Sequence, residues 1–162
     1  MNAHDAIKAA FATSDMVLTS YVSDMTDAEL MTRPAGCNHI AWQLGHLISS
    51  EADLINMLKE GSAIDLPEGF ADKHSKDTTA NDDASQFCSL EEYLSLYKQT
   101  RDNSLATLAT CSEEELDAEG PEAFRSMCPT MGSLGILIAS HPMMHVGQFV
   151  PVRRALEKPI VI

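Results

Sequence analysis

Leu134-Gly135-Ile136-Leu137-Ile138-Ala139-Ser140-His141-Pro142-Met143-Met144-His145-Val146-Gly147-Gln148-Phe149-Val150-Pro151-Val152 decides the fold. Leu134, Ile138, His141, His145, Gln148 and Val152 recur at a 4-3-4-3-4 spacing, which places them on one face of a helix, as the seam of a packed bundle. Two histidines and a glutamine thus stand where a plain bundle carries leucines. A buried polar group without a partner costs about 1–3 kcal/mol, so these rings require one. A bound metal ion is one such partner; other side chains or ordered water are another. His141 and His145 are four apart, with Cβ atoms about 5–6 Å apart on a helix, close enough for two imidazoles to share one ion. The pair lacks the glutamate of H-E-x-x-H, so a zinc-protease helix is not indicated. Pro142 has no N–H and leaves the Ile138 carbonyl without its helical partner, which predicts a bend that helps to aim His141.

Outward from this helix, three more long stretches carry helical periodicity. The first spans about His4 to Asp24. The second starts at Asn38, a good N-cap, and runs to Glu60, where Gly61 can end it. The third opens at the capping box Ser89-Leu90-Glu91-Glu92 and ends near Ala109; the fourth runs from Thr130 to about Glu157. Two further boxes, Thr26 to Glu29 and Ser112 to Glu115, open short helices. With no alternating strand pattern, the expected fold is all-α: a four-helix bundle with one long crossover, residues 61–88, between helices two and three. Residues 1–162 are expected to form a single domain, Met1–Ile162.

The second helix has an apolar stripe through Ile40, Leu44, Leu47, Ile48, Leu54, Ile55 and Leu58. On the opposite side stand His39, Trp42, His46, Ser50, Asp53 and Met57. That composition, which includes the only tryptophan, suits a helix that packs on one side and lines a pocket on the other. His46 is the candidate third ligand, with a solvated surface histidine as the alternative. His39, two turns earlier, is a rival or additional ligand. His4 and His74 fall in a terminal segment and a polar loop and are expected to be exposed. Met143 and Met144 are expected to pack on neighbouring helices, and Arg153-Arg154 to form a solvated basic helix end.

The chain carries 24 Asp+Glu against 11 Lys+Arg, a formal net charge of -13, so it repels phosphate backbones and anionic membranes. No nucleic-acid or membrane partner is expected. The N-terminus lacks the basic start and apolar core of a signal peptide, and the longest apolar run is too short to span a bilayer, so the expected location is cytoplasmic. Cys37, Cys88, Cys111 and Cys128 form no C-x-x-C pair and are expected to be free thiols. A homodimer is compatible with a small bundle.

The segments Asn38-His39-Ile40-Ala41-Trp42-Gln43-Leu44-Gly45-His46-Leu47 and His141-Pro142-Met143-Met144-His145-Val146-Gly147-Gln148 together resemble the DinB-like superfamily. The joint pattern W-x-x-G-H followed by H-x-x-x-H-x-G-Q is far more specific than either half. The resemblance spans nearly the whole chain and implies a four-helix bundle whose motif histidines, here His46, His141 and His145, bind a divalent metal. Zinc and nickel both suit imidazole. Three neutral imidazoles leave open positions on the metal, the layout of a catalytic site, able to acidify a water or hold a thiol as thiolate. The resemblance extends to thiol-dependent S-transferases. It implies a small-molecule substrate, with a low-molecular-weight thiol as the candidate, transferred to an electrophile. A metal-dependent hydrolase and a non-catalytic metal-binding stress-response protein are the alternatives. Glu51 and Asp53 are candidates to orient the rings from behind, and Gln148 to line the pocket.

Overall fold

The structure, a computed structural model, describes residues 1–161; Ile162, the last residue of the expected domain, lies outside the described residues. The chain is all-helical. Its helices are α1 (Ala3–Val22), α2 (Asp27–Leu30), α3 (Ile40–Leu58), α4 (Phe70–Lys73), α5 (Leu90–Ala109), α6 (Glu113–Asp117) and α7 (Met131–Ala155). Among the described residues the only β pairing is an isolated bridge between Glu119 and Thr130. No helix among the described residues is long and apolar enough to cross a membrane.

The helix starts follow from local chemistry. Thr26, Ser89, Ser112 and Thr130 each accept a hydrogen bond from the backbone N–H three residues on, and the side chain at that position bonds back to the cap's own N–H. Each reciprocal cap satisfies two donors that a helix start leaves free. The second long helix departs from expectation. Its N-cap is His39, not Asn38, and the His39 Nδ1 accepts the Trp42 N–H at 3.0 Å.

The four long helices close a ring of contacts: α1 packs on α7 and α5, and α3 packs on α5 and α7. Their apolar faces meet in two clusters. One includes Leu18, Leu44, Ile48, Tyr93 and Phe149; the other includes Ile7, Phe11, Ile55, Leu134 and Ile138.

Where the clusters meet, Arg101 of α5 is buried to 1% exposure. Its Nε donates to Asp15 at 2.7 Å, its Nη1 to Glu51 at 2.9 Å, and its Nη2 to the Ser14 hydroxyl at 2.8 Å. The same Nη1 donates to the Ile138 carbonyl at 3.0 Å. That is the carbonyl Pro142 deprives of its helical donor. α7 therefore runs through Pro142 with its free acceptor satisfied from a neighbouring helix. One guanidinium ties α1, α3, α5 and α7 together. Burial pushes the Glu51 carboxyl pKa up, against the opposing pull of Arg101, and its Oε1 has no hydrogen-bond partner among the described residues.

The segment between α3 and α5, expected as the crossover, departs from the exposed polar loop expected around His74: it is anchored over α3. Phe70 and His74 are buried; Trp42 Nε1–H donates to the Ser75 carbonyl and the Thr78 hydroxyl, and the His39 Nε2 bonds the Asn81 carbonyl. His74 lies against Gly45, its Nδ1–H donating to the Phe70 carbonyl and its Nε2 accepting from the Tyr93 hydroxyl, both at 2.7 Å. At the far end of α7, Arg153 is buried rather than solvated. It makes a two-pronged ion pair with Asp24 at 2.6 and 3.0 Å and donates to the Tyr21 carbonyl.

Candidate functional site

α3 and α7 bring His46, His141 and His145 together. One ring nitrogen of each lies within 4.8 Å of the others, and the ring centroids are 4.9–5.7 Å apart. A tetrahedral ion with bonds of about 2.0–2.1 Å holds its donors roughly 3.3 Å apart, so modest side-chain rotations would close the three nitrogens on one ion. No other group of three or more His, Cys, Asp or Glu side chains with this geometry occurs among the described residues.

Two of the rings are held by neighbours outside the cluster. His145 is buried, and its Nδ1–H donates to Gln43 Oε1 at 3.0 Å. Gln43 is itself oriented, because its Nε2 donates to the Asn38 carbonyl at 2.8 Å and leaves only the amide oxygen for the histidine. This fixes the tautomer and turns the Nε2 lone pair of His145 away from Gln43. His46 is stacked on Trp42, with ring centroids 4.9 Å apart and planes within 6°. The Trp42 indole is pinned by the crossover, so the crossover sets the plane of His46 indirectly.

Electrostatics favours the neutral, ligating form of all three rings. Burial pushes His145 down to about 3 and His141 to about 4, with the neighbouring imidazoles adding to both shifts and Arg101 to that of His141. His46 is also lowered by burial, opposed by the His74 carbonyl. Near neutral pH the cluster offers lone pairs rather than protons.

The other candidates take different places. His39 is not in the cluster; both its nitrogens are engaged, as the cap of α3 and at Asn81. Gln148 is exposed, and Phe149 occupies the seam in its place. Glu51 bonds Arg101 rather than an imidazole. His4 is half-buried, against the Cys111 carbonyl at 2.9 Å. Gln43 was missed by sequence reasoning. Its signal was its place on α3 three residues before His46, on the buried side, where a glutamine needs partners.

Part of the expected pocket face of α3 is present, whereas His39 and Trp42 of that face are buried against residues 75–81. His46, Ser50, Asp53 and Met57 line a cavity of about 310 Å³ together with His141 of α7. Met144 faces this cavity and Met143 is exposed, in place of the helix packing expected for both. The cysteines are free as expected. Burial pushes the thiols of Cys88, Cys111 and Cys128 up, so none of these three is an activated nucleophile. A larger groove of about 560 Å³ under the crossover has His74 as its only imidazole, and both its nitrogens are engaged.

Comparison with curated proteins and with solved structures found no match. A model of the DinB superfamily matches residues 10–149, a span that takes in α3, α5 and the cluster-bearing part of α7. With that match over most of its length, the chain belongs to the DinB superfamily.

Proposed function

We propose that this protein is a divalent-metal-binding member of its superfamily, with His46, His141 and His145 as the metal ligands. The long helices are read as its four-helix bundle, with residues 59–89 as the crossover. The observation that carries the proposal is the convergence of three imidazoles, one with its tautomer fixed by Gln43, in surroundings that keep them neutral. The donor set fits a borderline ion such as zinc or nickel. Such an ion, when bound, supplies open positions able to acidify a water or stabilise a thiolate.

The activity we propose is metal-dependent transfer of a low-molecular-weight thiol to an electrophile. Two features support it. The cavity beside the cluster gives a small molecule access to His46 and His141. None of the four cysteines lines that cavity, and the thiols of Cys88, Cys111 and Cys128 are held protonated, so the thiol would come from the substrate. The chain's own part is to hold three neutral rings, to present the cavity wall to the electrophile, and to keep bulk water from the buried side of His145.

Reconstitution with zinc or nickel tests the metal site. About one equivalent per chain is expected, lost in His145→Ala. Less than about a tenth of an equivalent, with wild-type stability in His145→Ala, would overturn the assignment. A screen of cellular thiols against soft electrophiles tests the transfer. Metal-dependent conjugation is expected, and no turnover by fully loaded protein would leave a binding role alone.

A further inference from the structure

The cavity at the histidine cluster has a wall out of keeping with its position on an acidic surface. Leu54 and Met57 of α3, Leu137 and Met144 of α7, and Phe124 and Met127 of the segment before α7 line it. Met57 is 43% exposed, Met144 56% and Met127 60%. Isolated exposed apolar residues need no explanation, but three methionines lining one cavity form a patch, and such patches mark binding sites. Methionine is unbranched and polarizable, so it moulds to apolar ligands of varied shape. The charged groups on the wall are one of each sign, Asp53 and Lys76, so the wall selects neither polyanions nor polycations. A volume of about 310 Å³ is at the small end of ligand sites, which run from roughly 300 to 1,000 Å³.

We infer that this cavity takes the apolar body of a compact, uncharged ligand whose single donor atom lies at the histidine cluster, and that the methionine rim sets its specificity. The inference rests on the metal reading above and adds the chemical class of what binds there. It places His46 and His141 at the polar end of the cavity and the three methionines along its apolar walls. A hydrophilic thiol alone would leave this apolar wall in water; a ligand with an alkyl or aryl body would cover it.

The test uses cobalt-loaded protein and a series of straight-chain alkanethiols from ethanethiol to octanethiol. Binding is read from the thiolate-to-cobalt charge-transfer absorption, with no turnover involved. Affinity is expected to rise about threefold for each methylene and to level off once the cavity is full; complete burial of a methylene corresponds to about fourfold. Met127→Ser and Met144→Ser change exposed side chains, so the fold and cobalt loading are expected to persist. Together they should weaken hexanethiol binding about fivefold to tenfold while leaving ethanethiol binding within twofold. If cobalt loads at one equivalent but affinity is independent of chain length, or the double variant binds hexanethiol like wild type, the cavity assignment is wrong and the metal reading stands. If cobalt does not load, the metal reading itself fails, and the cavity assignment with it.

Discussion

Replacing Gly45 by alanine tests how the crossover is held to α3. A Cβ at position 45 would lie 2.1 Å from His74 Cδ2 and 2.3 Å from its Cγ and Nε2, far closer than van der Waals contact with the imidazole ring allows. No adjustment of a flexible tip relieves such an overlap, so the ring must leave. Departure breaks two bonds of 2.7 Å, to the Phe70 carbonyl and the Tyr93 hydroxyl, and leaves the buried Tyr93 O–H without an acceptor, although its oxygen still accepts the Cys88 N–H. Each broken bond that leaves a buried partner unsatisfied costs about 1–3 kcal/mol, and overpacking adds about 1–3 kcal/mol. Alanine returns up to about 1 kcal/mol through its better helix propensity. The net expectation for Gly45→Ala is a loss of about 2–9 kcal/mol, a large fraction of the stability of a domain this size. Urea denaturation measures it, and the decisive comparison is a double-mutant cycle. In a His74→Ala background the obstacle is gone, and Gly45→Ala should become neutral or stabilising. The reasoning is refuted if Gly45→Ala costs less than about 0.5 kcal/mol in the wild type, or costs the same in both backgrounds.

Two further outcomes follow from the hydrogen bonds and the protonation states. Gln43→Leu removes the acceptor that fixes the His145 tautomer and should weaken zinc binding by about 10–100-fold in a chelator competition; affinity within twofold of wild type would mean that Gln43 does not orient the ring. In the metal-free protein, His74 and His141 are lowered to about 4 and His145 to about 3, whereas an unfolded chain titrates its histidines near about 6.5. Because the folded values are depressed, their contribution is fully present above about pH 6.5 and is lost as pH falls from there towards 4. Three protons bound by the unfolded chain alone give a slope of up to about 4 kcal/mol per pH unit, so urea midpoints should drop steeply between pH 6.5 and 5, and a flat profile would contradict the burial of these rings.

The helices were legible because their signals are local. A capping box needs only residues three apart, and Thr26, Ser89, Ser112 and Thr130 all cap as their sequences indicate. The seam of α7 shows where this kind of reading stops. A 4-3-4-3-4 path through Gln148 and a 4-4-3-4-3 path through Pro142 and Phe149 both start at Leu134 and end at Val152. Periodicity cannot separate them; the buried bulk of Phe149, packed in the core with Leu44 and Tyr93, does. Arg153 is illegible for another reason. Its partner, Asp24, is 129 residues away, and nothing near position 153 announces it.

His74 shows how far this limit reaches into the candidate site. Its neighbours, Asp72, Lys73, Ser75 and Lys76, are polar, and local composition reads the segment as solvated. The ring is nonetheless buried, because the bare backbone at Gly45 admits it and Tyr93 supplies a donor. Once His74 is seated, Ser75 and Thr78 follow within one turn of chain, and both bond the Trp42 indole that stacks on His46. A glycine next to a candidate ligand therefore acts through a histidine that takes no part in the cluster. The conformation of His46 depends on residues that join it only after folding. This is why the motif W-x-x-G-H could be recognised as a pattern while the work of its tryptophan and glycine could not be derived from α3 alone. It also separates two kinds of damage. Losing His46 should abolish ligation and leave the crossover in place, whereas losing the fit between Gly45 and His74 should free the crossover and loosen the His46 ring with all three histidines still present.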